Sequence, residues 1–234
     1  MNQPLEWTDD LTKNFWNYYS NFPEYYFTYQ YGGTIVSEFS KYFKAGSEVL
    51  DYGCGTGFLI THLLKYDVDI YGTDVSENSV ESVNKKYAAN KNFKGASLLD
   101  DLIRTKKKFD VLCVVEVIEH LTDHHLDQLL KNIKHLLKPN GIVIFTTPNN
   151  EKLSDSIVFC PCCEHTFHRW QHIRSWNSET LTVFLDGKGL HVNTVYTLNF
   201  SGSSRKNFIR KILSSLKNKI HTPVYPHLVA VCGA

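Results

Sequence analysis

Residues 51–58, Asp51-Tyr-Gly53-Cys-Gly55-Thr-Gly57-Phe58, join a short apolar run, Ser47-Glu-Val-Leu-Asp51, to a stretch with apolar residues at helical spacing, Phe58-Leu-Ile-Thr-His-Leu-Leu64. A buried strand that turns at once into a helix is therefore expected here. Closely spaced glycines let the backbone take angles that a Cβ forbids and come close to a ligand. The first amides of the new helix have no partners within it, so the corner suits a polar or anionic group. The dinucleotide fingerprint is G-x-G-x-x-G, whereas here the spacing is G-x-G-x-G and Phe58 stands where the third glycine belongs. Asp51 opens the motif, and Asp74 closes the next apolar stretch, Val68-Asp-Ile-Tyr-Gly-Thr-Asp74. A carboxylate ending a second strand can accept hydrogen bonds from both hydroxyls of a ribose.

Strand-like and helix-like segments alternate as far as residue 148, the pattern of a parallel sheet with right-handed crossovers. Residues 34–44 predict a first amphipathic helix. Residues 123–138 predict the clearest one, with Asp123 as N-cap and Pro139-Asn-Gly141 as its stop. A helix over 178–186, an alternating strand over 190–198 and an apolar strand over 227–232 follow. Residues 1–33, dense in Trp, Tyr and Phe, form a separate aromatic cap ahead of a domain spanning 34–234.

Four motifs in order resemble those of class I S-adenosylmethionine (SAM) methyltransferases. They are the Asp51–Gly57 loop; Tyr71-Gly-Thr-Asp74-Val75-Ser-Glu; Phe109-Asp-Val-Leu-Cys-Val-Val-Glu116-Val-Ile-Glu119-His120-Leu; and Leu137-Lys-Pro-Asn-Gly141-Ile-Val-Ile-Phe-Thr-Thr-Pro148-Asn. The resemblance covers roughly residues 35–200. It implies a Rossmann-like α/β fold with a seven-stranded, mostly parallel sheet, an antiparallel last strand between the fifth and sixth, and helices on both faces. It also implies SAM as cofactor, held by Asp51, Gly53, Cys54, Gly55, Gly57, Asp74, Val75, Ser97 and Glu116. Glu116, His120 and His172 are then the candidates for orienting an acceptor or taking its proton.

A second constellation lies in an insert over 149–176. Cys160, Cys163, His168 and His172 have the composition of a zinc ligand set, although more tightly spaced than in a typical finger. Glu116, Glu119 and His120 stand at i, i+3 and i+4 and would share a helix face. With His172, which precedes Trp176-Asn-Ser-Glu179, they resemble the divalent-metal site of methyltransferases that modify the terminal ribose of small RNAs. Many small-molecule methyltransferases carry the same E-x-x-E-H without a metal. The Cys-Pro-x-Cys and Phe-His-Arg-Trp run also resembles enzymes of polysaccharide and small-molecule pathways.

The leading expectation is O- or N-methylation of a small-molecule or sugar-like acceptor. Its alternatives are a metal-dependent ribose 2′-O-methyltransferase acting on RNA 3′ ends and a SAM-binding protein without catalysis. A net charge of +1 gives no global field to recruit nucleic acid or membrane. Residues 205–220 place an apolar stripe beside Arg and Lys, a basic amphipathic helix that either packs on its own domain or meets an anionic lipid or lipid-linked substrate. The polar amino terminus and the absence of a long apolar run predict a cytoplasmic protein.

Overall fold

The computed structural model describes residues 3–201 and 225–233. It begins with β1 (Gln3–Pro4), α1 (Asp9–Tyr19) and α2 (Phe27–Glu38), then β2 (Glu48–Tyr52), α3 (Phe58–Leu63), β3 (Asp69–Asp74), α4 (Glu77–Tyr87), β4 (Phe93–Leu98) and α5 (Leu99–Arg104). It continues with β5 (Phe109–Val115), α6 (Asp123–Leu136), β6 (Leu137–Pro148), β7 (Ile157–Phe159), β8 (His165–His168), α7 (Ser178–Gly187), β9 (His191–Leu198) and β10 (His227–Gly233).

The main sheet has seven strands in the order β4-β3-β2-β5-β6-β10-β9. The pairs from β4 through β6 are parallel, while β10 runs antiparallel to both β6 and β9, between them as expected. Successive strand residues go to opposite faces. Leu50 and Leu112 pack in the cluster that contains Leu126, Leu130 and Ile133 of α6, while Val49 and Val111 pack with Ile35, Leu59 and Val83 on the other side. Both faces are thus covered, which accounts for the near-continuous apolar runs of β5 and β10. Strand order reverses between β2 and β5, and the crevice beyond the carboxyl ends of these strands is where such sheets bind ligands.

Three boundaries differ from expectation. The helix expected over 34–44 is α2, which starts at Phe27 and ends at Glu38, so the division at 33/34 falls inside it. The helix packs closely on α3, since a Cβ on Gly32 would lie 2.9 Å from the His62 ring. The N-cap of α6 is Thr122, whose hydroxyl accepts from His125 N, and Asp123 is the first helical residue. That helix ends at Leu136, and β6 runs from Leu137 through Pro139 and Gly141, with Asn140 at φ 64° absorbing the turn out of the helix.

The insert is more ordered than its composition suggests. β7 and β8 form a hairpin, and β1 pairs in parallel with β8. This small sheet ties the amino terminus to the insert and holds α1 over the carboxyl ends of the main strands. Trp16 Nε1 donates to Gln171 Oε1 at 3.1 Å, and Ser76 Oγ donates to Asn17 Oδ1 at 2.8 Å. The expected basic helix over 205–220 lies outside the described residues. Among the described residues, no helix is long and apolar enough to cross a membrane.

Candidate active site

The turn from β2 into α3 is built from glycine conformations. Gly57 at φ 79° precedes the helix, and a Cβ there would sit 2.9 Å from both Val83 and Tyr87 of α4. A Cβ on Gly55 would lie 2.7 Å from the Tyr26 ring. The loop leans on β3, as Gly53 N and Cys54 N both donate to Thr73 O. Asp74 accepts from Gly55 N through Oδ2 at 2.8 Å and from Ser76 N through Oδ1 at 2.9 Å. Burial still raises its pKa, with these backbone donors opposing the shift. Asp51 is 2% exposed and its Oδ2 has no partner. Burial, with the nearby Asp74 charge, pushes it up to about 8.

A cavity of about 890 Å³ opens at this corner, lined by Gly53, Cys54, Gly55, Asp74 and exposed Val75. Asp51 and Gly57 lie behind that wall. Ser97 is also away from it: its carbonyl accepts from Thr73 Oγ1 at 3.0 Å, and Leu99, two residues onward at the start of α5, lines the cavity instead. Cys54 is buried, as a small apolar residue would be. The roof is aromatic, formed by Trp16, Tyr19, Tyr25 and Tyr26 of the cap together with Trp170 of the insert.

At the far end of the same cavity stand Glu116, Glu119, His120, Glu151 and His172. The expected helix face is absent, since α6 begins only at Asp123 and residues 116–122 form a turn. Glu116 leaves β5 at φ 52°, an uncommon angle for a residue with a Cβ and one often retained at functional sites. Its amide donates to Thr146 O at 3.0 Å, and its Oε1 accepts from Thr146 Oγ1 at 2.8 Å. Burial lifts the carboxyl to about 7. Glu119, 1% exposed, accepts from Thr147 Oγ1, while its Oε1 has no hydrogen-bond partner. Burial, then the Glu116 charge, raises its pKa well above the ordinary range. His120 Nε2 is 3.8 Å from that Oε1, and burial with the neighbouring His172 lowers its pKa to about 3. An acid and a base side by side are therefore both held neutral, and His120 Nδ1 is also unpartnered. Such a pair suits a bound cation or a polar substrate group.

The insert delivers the remaining donors. Ile173 N donates to Glu119 O and Gln171 Nε2 to His120 O, both at 2.9 Å, which docks the segment on the turn. Glu119, His120 and His172 converge within 4.8 Å, and so do Glu151, His168 and His172. Glu116 belongs to neither triad, although it lies in the same cavity wall. Neither group contains a cysteine, so among the described residues the expected set of Cys160, Cys163, His168 and His172 does not come together. The reason is hairpin geometry. Cys160 and Cys163 sit at the tip of the β7–β8 hairpin, where Cys160 N donates to His165 O and the His165 ring meets the Cys163 carbonyl at 2.6 Å, whereas His168 closes the other end of β8 opposite Ile157 and His172 lies beyond it. Cys160 sits at the exposed tip, where the amides of Cys163 and Cys162 lower its pKa. Glu151 belongs to no motif. Its only sequence signal is an acidic residue just past the carboxyl end of an apolar strand.

Comparison with known proteins agrees with this geometry. A family model described as a methyltransferase domain matches residues 24–195. The ubiquinone biosynthesis O-methyltransferase of Pelagibacter ubique is 36% identical over 117 residues, which are 48% of this chain and 45% of that protein. The human mitochondrial protein of the same name is 29% identical over 162 residues, 64% of this chain and 43% of the relative. The chain thus spans less than half the length of these curated relatives. A SAM-dependent methyltransferase of Clostridium acetobutylicum shares the fold at a TM-score of 0.61 and 15% identity, covering 95% of this chain and 98% of that one. With the glycine loop, Asp74 and the sheet order in the places that resemblance requires, the chain belongs to the class I SAM-dependent methyltransferases.

Proposed function

We propose that this enzyme methylates a hydroxyl of a small molecule. The observation that carries the reading is one continuous cavity with a glycine-and-carboxylate cradle at one end and a cluster of buried acids and imidazoles at the other. The orphaned Asp51 Oδ2 and the open cradle at Gly53 and Gly55 fit SAM. Gly53, Gly55, Asp74 and Val75 would hold it, with Asp51 behind them. When bound, SAM supplies a methyl group made electrophilic by its sulfonium. The chain's own task is to align an acceptor oxygen and keep water out. Trp16, Tyr19, Tyr25 and Trp170 supply the apolar roof, Glu116 orients the acceptor, and His120 or His172 takes its proton. The curated relatives are named for O-methylation in ubiquinone biosynthesis, which favours a hydroxyl over an amine.

Calorimetric titration with SAM, coupled to mass spectrometry of a cell extract incubated with labelled SAM, tests the reading. Binding that Asp74→Ala weakens at least tenfold, with label in a small-molecule ether, is the expected result. Undiminished binding in that variant, or label confined to RNA, would refute it.

A second reading rests on the unpartnered Glu119 Oε1 and His120 Nδ1 beside His172. Two imidazoles and a carboxylate suit a divalent cation such as Mn²⁺ or Mg²⁺, which would draw in vicinal hydroxyls, as on ribose. Manganese-dependent activity that survives replacement of Cys160 and Cys163 by serine would favour it; activity unchanged by chelation would exclude it.

A further inference from the structure

The triad of Glu151, His168 and His172 is absent from the sequence motifs, and its hydrogen bonds assign protons. His168 Nδ1 accepts the backbone N–H groups of Trp170 at 3.3 Å and of His172 at 3.2 Å. That nitrogen therefore bears a lone pair, so the ring is neutral and carries its proton on Nε2. The Nε2–H is buried without a hydrogen-bond partner, and the nearest carboxylate oxygen to it is Glu151 Oε1, 3.5 Å away. A protonated Nε2 is no metal donor, which removes His168 from any ligand set. The other oxygen, Glu151 Oε2, lies 2.5 Å from His172 Nδ1. An ionised carboxylate only accepts, so His172 Nδ1 is the donor. The two rings stack at 4.6 Å with 16° between their planes, which fixes the orientation of His172.

We infer that Glu151, backed by His168, is a positioning residue that locks His172 as its Nδ1–H tautomer and thereby offers the Nε2 lone pair to the acceptor end of the cavity. The inference deepens the methyl-transfer reading and rests on it for its chemistry. As the acceptor oxygen forms its bond to the methyl carbon, the carbon–sulfur bond breaks and sulfur keeps the electron pair. The hydroxyl proton passes to His172 Nε2, and the resulting imidazolium is held by the Glu151 carboxylate until water removes the proton from the open site. A carboxylate that orients an imidazole and stabilises its cation has the same part in hydrolase triads.

Nitrogen-15 NMR of the histidine-labelled full chain, with the His172 signals assigned by their loss in His172→Asn, reads the tautomer directly. In the wild type His172 is expected to be protonated on Nδ1 and bare on Nε2. Glu151→Leu should move the proton to Nε2, and Glu151→Asp should partly restore the original state. With catechol as methyl acceptor, Glu151→Leu should lower kcat about 100-fold, as loss of such supporting carboxylates does. The SAM Kd should stay within about twofold, because Glu151 stands at the end of the cavity away from the glycine cradle. A wild-type His172 with its proton on Nε2, or a tautomer unmoved in Glu151→Leu, overturns the inference. Should Glu151→Leu not fold, Glu151→Gln, which keeps an accepting oxygen, must retain the Nδ1–H tautomer. Failure of the wild type to bind SAM would count against the methyl-transfer reading, whereas the NMR result would still decide the role of Glu151.

Discussion

The two ends of the cavity are built in different ways. At the cofactor end, every functional group lies within a few residues of the carboxyl end of β2 or β3, and the two strands are neighbours in the sheet. The loop is supported by its own backbone and by Asp74, so its geometry follows from short segments. At the acceptor end, Glu116, Glu119 and His120 come from a turn after β5, Glu151 from beyond β6, and His168 and His172 from β8 and the segment behind it. Their geometry is set by docking of the insert, through bonds such as Ile173 N to Glu119 O. The cofactor end is a local structure and the acceptor end a tertiary one.

Substitutions that separate binding from chemistry probe this contrast most strongly. Glu116→Gln should reduce turnover by about 100-fold, the cost of losing the alignment of the acceptor oxygen, with SAM affinity nearly unchanged. Gly55→Val should act oppositely, weakening SAM about 100-fold, because its side chain would meet the Tyr26 ring from a Cβ only 2.7 Å away. Calorimetry and single-turnover methylation distinguish the two. Equal loss of SAM binding in both variants would show that the ends are not independent.

Gly57→Val probes how far the loop also carries the fold. Its left-handed angle disfavours a β-branched residue by ~1–2 kcal/mol, and the clash with Val83 and Tyr87 adds a comparable amount. A total of about 3 kcal/mol should lower Tm by roughly 10 °C in a domain of this size. A shift below about 2 °C would mean that α4 gives way easily.

The same contrast decides what could be read from the residues. Asp51, the three glycines and Asp74 were legible because G-x-G-x-G between a strand and a helix leaves few other uses for that geometry. The sheet order and the antiparallel β10 followed from the family motifs. Position along a strand does not say which side chains line a cavity at its end: Leu99 does and Ser97 does not. The four expected zinc ligands do not converge for a reason that spacing alone conceals: the two cysteines fall at the tip of the β7–β8 hairpin, while His168 closes the other end of β8 and His172 lies beyond it. Glu151 had no motif, since its role depends on His168 and His172 being brought back across the end of β6.

Titration of the cofactor end offers a finer comparison. Asp51 has an ordinary pKa of 3.8 and rises to about 8 when folded without ligand. Its contribution to stability is complete below pH 4 and is lost as pH climbs toward 8, because the unfolded chain ionises freely in that window while the folded state keeps the buried carboxyl protonated. The expected loss is about 1 kcal/mol per pH unit within that window. Thermal melts of the free protein from pH 5 to 8 should show a falling Tm, with a shallower slope in Asp51→Asn. Glu116, raised to about 7, adds to the fall at the other end of the cavity. Saturating SAM, which is cationic, should flatten the Asp51 part and leave the Glu116 part. A slope that SAM does not alter would detach Asp51 from the cofactor.

The smallest effect tests whether the acceptor end depends on tertiary docking or on the helix that follows it. Thr122 caps α6 and so ends the turn that carries Glu116, Glu119 and His120, its hydroxyl accepting from His125 N. Thr122→Ala should cost about 1 kcal/mol, lowering Tm by roughly 3 °C. If the insert holds the turn in place through Ile173 and Gln171, turnover should change less than about twofold despite the lower Tm. A tenfold loss of turnover at unchanged SAM affinity would instead show that the start of α6 sets the acceptor geometry, and the acceptor end would then be nearly as local as the cofactor end.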